Sequence, residues 1–79
     1  MRSIKKYTVI KSKFYIKSPL DYGYKESVLK SFDNITDAEI WTENNIENYI
    51  NKKEASDTCL QVIADFGDDK CCVLRTYTL

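Results

Sequence analysis

The chain has 79 residues, twelve basic and twelve acidic side chains, 43% hydrophobic residues, one proline and two glycines. That describes one domain, neither disordered nor collagen-like, and too small to build a deep cleft between two lobes. Histidine is absent, which removes the commonest general acid–base group and the commonest zinc ligand.

Size scaling gives about 4,900 Å² of folded surface against about 13,300 Å² unfolded. Burial then contributes ~125 kcal/mol and ordering the chain costs ~120, so stability is marginal without a partner or tight packing.

The N-terminus, Met1 to Tyr7, is basic, but Lys11, Lys13 and Lys17 interrupt every apolar stretch that follows. Neither a signal peptide nor a membrane span is expected, which points to the cytoplasm. Residues 4–17 alternate lysine with β-branched and aromatic types and read as one long strand. Tyr7 and Val9 share one parity, Phe14 and Ile16 the other, so a bulge or bend is expected near Lys11–Ser12. Ser18 to Tyr24 carries the only proline and reads as a loop displaying Tyr22 and Tyr24. Tyr24 to Phe32 reads as a second strand paired with the first; a short helix over Lys25–Ser31 competes, since Val28, Leu29 and Phe32 also fit helical spacing.

Thr36-Asp37-Ala38-Glu39 matches a capping box, with Ile35 and Ile40 placed as a hydrophobic staple. It predicts a helix from Asp37 to about Lys53, with Ala38, Trp41, Asn45, Ile46, Tyr49 and Ile50 covering a sheet. Residues 58–66 read as a strand, Gly67-Asp68-Asp69 as a turn, and 70–79 as the returning strand. If Phe66 faces Lys70, Ala64 faces Cys72 and Cys59 faces Tyr77. The predicted fold class is α+β, in the order β-β-α-β-β, with one helix on a four-stranded, largely antiparallel sheet.

Zero net charge conceals segregation. Residues 1–30 carry eight basic and two acidic side chains, residues 31–69 carry two and ten, and Lys70 and Arg75 complete the balance. Glu39, Glu43 and Glu47 recur every fourth residue and, joined on that side by Glu54, form an acidic stripe along the helix flank, with Asp37 also on the helix. That flank is either an ordinary solvated face or a surface that docks on a basic protein. Asp65, Asp68 and Asp69 cluster at the last turn without the loop pattern of a calcium site, and read as a solvated turn.

Lys5, Lys6, Lys11, Lys13 and Lys17, interleaved with Tyr15, offer the alternative of a nucleic-acid surface with lysines on phosphates and tyrosine stacked on bases. The zero net charge, the near absence of arginine and the lack of an RNA-binding signature weigh against it. Cys59, Cys71 and Cys72 lack metal-type spacing and a histidine partner, and read as buried free thiols. No phosphate loop, nucleophile elbow or zinc-protease motif occurs, so neither catalysis, nor a cofactor, nor a metal is expected.

Lysine outnumbers arginine ten to two, a bias that accompanies AT-rich genomes and points to a low-GC bacterium or its phages. In size, charge segregation and lack of a catalytic signature the chain resembles small phage-encoded accessory proteins, such as anti-CRISPR and other anti-defence inhibitors. The resemblance implies a non-enzymatic protein that binds and inhibits a larger, nucleic-acid-handling host protein. The expected contacts are Asp37, Glu39, Glu43 and Glu47, with Tyr22 and Tyr24 as aromatic anchors. A homo-oligomeric subunit, such as a homodimer, is the third reading.

Overall fold

The computed structural model describes residue 4 and residues 6–67 and 70–79. Its element order is β1 (Lys6–Ser18), β2 (Asp21–Phe32), α1 (Ile35–Tyr49), β3 (Thr58–Asp65) and β4 (Cys71–Tyr77). The four strands form one sheet in the order β2-β1-β3-β4, with every neighbouring pair antiparallel. This is the predicted α+β arrangement.

β1 is one continuous strand, and its change of parity is not a bulge. Its register with β3 runs without a break from Lys6↔Asp65 to Lys13↔Thr58. The two parities instead serve two faces: Val9 belongs to the core beneath the helix, with Tyr7 packed against it, while Phe14 points to the opposite face, toward the rings of Tyr22 and Tyr24. One register shift lies in β2, where Val9 pairs with Lys30 but Ile10 pairs with Val28, leaving Leu29 as the extra residue; a second, at the hairpin end, leaves Lys17 as an extra residue of β1 between Ile16↔Tyr22 and Ser18↔Asp21. Leu29 packs against the core. β2 is therefore a strand throughout, and the competing short helix is absent. The expected loop shrinks to Pro19-Leu20, so Tyr22 and Tyr24 sit on a strand. Regular pairing at Ile16↔Tyr22 and Phe14↔Tyr24 carries the ladder almost to the turn.

The helix starts two residues earlier than predicted. Asn34, not Thr36, is the N-cap: its side chain accepts from the Asp37 amide at 2.8 Å, and its Nδ2 donates to Asp37 Oδ2 at 2.8 Å. Either residue can cap; the two Asn34–Asp37 bonds are the ones formed, and Ala38 and Thr42, both fully buried, face the sheet. Ile40 is then exposed rather than stapled to Ile35. Replacing Asn34 by alanine should cost about 1 kcal/mol in denaturant unfolding. Thr36→Ala should stay within about 0.5 kcal/mol; the opposite ranking would restore Thr36 as the cap.

The helix also ends before Lys53. Ile50 turns extended, with its amide donating to Ile46 O at 3.0 Å, and its side chain is buried. Burying Ile50 against the sheet stops the helix; Lys52 and Lys53 fall in the turn that follows.

Val9, Ala38 and Val62 form the core, with Tyr7, Leu29, Phe32, Trp41 and Tyr77 packed around it. Trp41 sits between Phe32, at 5.9 Å, and Tyr49, at 5.6 Å. The small side chains of Ala38 and Thr42, one turn apart, bring the helix close to the sheet. The Thr42 hydroxyl is satisfied by donating to Ala38 O at 2.7 Å.

The last hairpin turns through Gly67, whose φ of 77° is the left-handed conformation glycine adopts freely. Phe66 faces Lys70 as predicted, its amide donating to Lys70 O at 3.1 Å. Ala64 faces Cys72, also as predicted, but a register shift between Val62 and Ile63 places Tyr77 opposite Leu60 rather than Cys59.

Candidate functional site

Four-residue spacing aligns Glu39, Glu43 and Glu47 along one side of the helix, and the fold turns that side toward β4. Glu39 Oε1 lies 3.7 Å from Arg75 Nε on β4. Tyr77, two residues on, has its phenol pKa pushed up first by burial and then by the carboxylates of Glu39 and Glu43. Glu47 borders a hollow shared with Ile50, Asn51, Lys52 and Leu79. The acidic line thus runs beside β4, an outer strand hydrogen-bonded, among the described residues, only to β3. Glu43 and Glu47 are exposed, and neither makes an ion pair among the described residues. Asp37 is exposed but engaged by Asn34 in the helix cap.

The sheet keeps the tyrosines apart from these acids. Phe14, Tyr22 and Tyr24 cluster on the face opposite the helix, with Phe14 5.3 Å from Tyr24 and 6.4 Å from Tyr22. The expected single site of acids plus tyrosines is therefore two surfaces.

The lysines are similarly divided. Lys5 lies outside the described residues, as do Asp68 and Asp69 of the acidic turn. Asp65, the third member of that turn, accepts from the Gly67 amide at 2.9 Å and approaches Lys6 at 3.9 Å. Lys11 and Lys13 share the helix-bearing face and both reach Glu54, each at 3.4 Å. Tyr15 is half-buried, with Lys25 Nζ 5.7 Å from its ring centre. Lys17 is exposed. The basic hairpin and the acidic flank therefore occupy opposite sides of one helix-bearing face.

Glu54, expected to extend the acidic helix stripe, instead lies in the turn after the helix, where Lys11 and Lys13 of β1 pair with it. Asn51 and Glu54 form a reciprocal pair: the Glu54 amide donates to Asn51 Oδ1 at 3.0 Å, and the Asn51 amide donates to Glu54 Oε1 at 3.3 Å. The same carboxylate receives Lys11 and Lys13 from β1. The S/T/N-x-x-E pattern in Asn51-Lys52-Lys53-Glu54 was the available signal.

The cysteines are free, and only Cys59 is partly buried; Cys71 and Cys72 are exposed, contrary to expectation. β4 is an outer strand, so its side chains have neighbours on one side only. Burial raises the Cys59 thiol pKa and Glu26 adds to the effect, so the group stays protonated. Among the described residues no cluster of histidine, cysteine, aspartate and glutamate could hold a metal ion, and no helix is long and apolar enough to cross a membrane. No protein-family model matches the chain, and no curated protein or solved structure is similar to it.

Proposed function

We propose that the protein is a small non-enzymatic binding protein that docks its acidic helix flank on a basic surface of a larger protein. The observation that carries this reading is the line of Glu39, Glu43 and Glu47 beside an open sheet edge, with its last two carboxylates unneutralised. Carboxylates held on a rigid helix can occupy a groove built for phosphates, and steer encounter over a Debye length. A groove so filled is closed to nucleic acid, which makes the protein an inhibitor by occupancy. A bacterial cytoplasm, with the chain encoded by the host or a phage, is the setting this reading fits.

The test compares wild type with a Glu43→Lys/Glu47→Lys double variant in pull-downs from bacterial lysate, followed by affinity measurement at two salt concentrations. Both positions are exposed, so the variant should keep its stability within about 0.5 kcal/mol. The captured protein should bind the variant at least about tenfold more weakly, with wild-type affinity falling as salt rises. Equal affinity for both forms rejects the acidic docking surface.

The cofacial Lys11, Lys13, Tyr15 and Lys25, with exposed Lys17 near the hairpin end, support a second reading, nucleic-acid binding by the β1–β2 hairpin. Glu54 weighs against it by neutralising two of the four lysines. A mobility shift with single- and double-stranded probes at low salt separates the two, since phosphate contacts are strongest there.

A further inference from the structure

The helix covers one face of the sheet, and among the described residues no element covers the other. Strand pairing defines that open face. β1 contributes Thr8, Ile10, Ser12, Phe14 and Ile16, and the residues opposite them include Val28, Tyr24 and Tyr22 on β2 and Ile63, Gln61 and Cys59 on β3. Val73 on β4 continues the row from Ile63. Of the nine exposed large hydrophobic side chains among the described residues, five (Ile16, Tyr22, Tyr24, Val28 and Val73) lie on this face. A sheet with one solvated face ordinarily alternates polar residues outward; this one sets isoleucine, valine and tyrosine among Thr8, Ser12, Glu26 and Gln61.

We infer that the open face is a self-association surface, covered in solution by the open face of a second copy of this chain. Area supports that occupant. The structure exposes 5723 Å², about 800 Å² more than the roughly 4,900 Å² expected of a compact chain of this mass. About 800 Å² is also what each partner gives to an interface of standard size. The radius of gyration, 13.5 Å, likewise exceeds the roughly 12 Å of a compact chain of this length.

Charge supports it too. From the Thr8 row to the Phe14 row the open face carries two charged side chains, Glu26 and, at its margin beside Phe14, Asp57, and the Lys6–Asp65 ion pair closes the other end. Such a face meets its own copy with little repulsion, whereas the acidic flank and the basic hairpin would each repel theirs. It also offers nucleic acid almost no cation. A two-fold axis across the face would stack the sheets about 10 Å apart, in the order helix, sheet, sheet, helix.

The test uses the full chain in sedimentation velocity across a concentration series. Wild type should approach twice the 9.2 kDa chain mass as concentration rises. Tyr24→Glu and Val73→Glu change exposed side chains on the two opposite outer strands. Each should raise the dimer dissociation constant by at least about tenfold while far-UV circular dichroism stays unchanged. Ile40→Glu, exposed on the helix, should leave association intact. A wild-type monomer at all concentrations overturns the inference, as does a dimer that resists both strand variants. Dissociation by only one of them also overturns it, because that pattern belongs to edge-to-edge pairing through that strand. These outcomes are independent of the acidic flank, whose double variant leaves the open face untouched.

Discussion

Leu60→Ala is expected to destabilise the domain by about 3 kcal/mol, the middle of the range for emptying a buried leucine site. Leu60 is fully buried on β3, paired with Lys11 on one side and Tyr77 on the other. Its strand is held on both sides and its neighbours Val9 and Val62 are also at zero exposure, so the site has little freedom to collapse around a smaller side chain. A domain of this length has roughly 4–12 kcal/mol in total, and each kcal/mol moves its Tm by about 4–8 °C. A drop of about 12–24 °C in thermal unfolding is therefore expected. Val28→Ala, on the open face and 70% exposed in the single chain, should shift the monomer's unfolding far less. A Leu60→Ala protein that melts within a few degrees of wild type would mean that the core lies elsewhere.

Glu54→Lys is expected to come next in severity, with a Tm loss exceeding that of Asn34→Ala. It would put a third ammonium where Lys11 and Lys13 now converge on one carboxylate, and would break the reciprocal Asn51 bonds that shape the turn after the helix. That turn delivers the chain to β3, where the Phe14 amide donates to Asp57 O at 2.8 Å. Glu54→Gln gives the complementary result against pH. The Asn51 backbone amide, and then Lys11 and Lys13, hold the Glu54 carboxyl below its ordinary value of 4.5 despite an opposing desolvation effect. A carboxyl lowered in the folded state stabilises the fold above the ordinary value, and that contribution is lost as pH falls through the folded value. Wild-type Tm should thus decline more steeply than that of Glu54→Gln below about pH 4.5. Parallel curves would show that the lysines do not act through this carboxylate.

The element order was legible because each element carries its own period: alternation in β1 and β3, a capped helical pattern between them, and a glycine turn before β4. The errors have local physical causes. Asn34 and Thr36 are both competent caps, and the reciprocal Asn34–Asp37 bonds are what distinguish them in the fold. Thr42 went unnoticed because a threonine on a helix reads as solvated, whereas here its hydroxyl finds the Ala38 carbonyl. Phe14 and Ile16 looked like the consequence of a bulge because a one-sided sheet was assumed. The acidic line was readable from four-residue spacing alone. Its separation from Tyr22 and Tyr24 was not, because pairing register decides which side of a sheet a residue faces.

The strand order β2-β1-β3-β4 also has a meaning in time. As the chain leaves the ribosome, β1 finds β2 at once across a two-residue turn, but its other neighbour begins only at Thr58. The strand that ends up at the middle of the sheet is first a bare edge of an unfinished one. Such an edge invites pairing with a neighbouring chain, and interspersed lysine is one way proteins discourage it. Lys6, Lys11 and Lys13, which pair along β3 in the finished molecule, are placed to guard β1 during that interval.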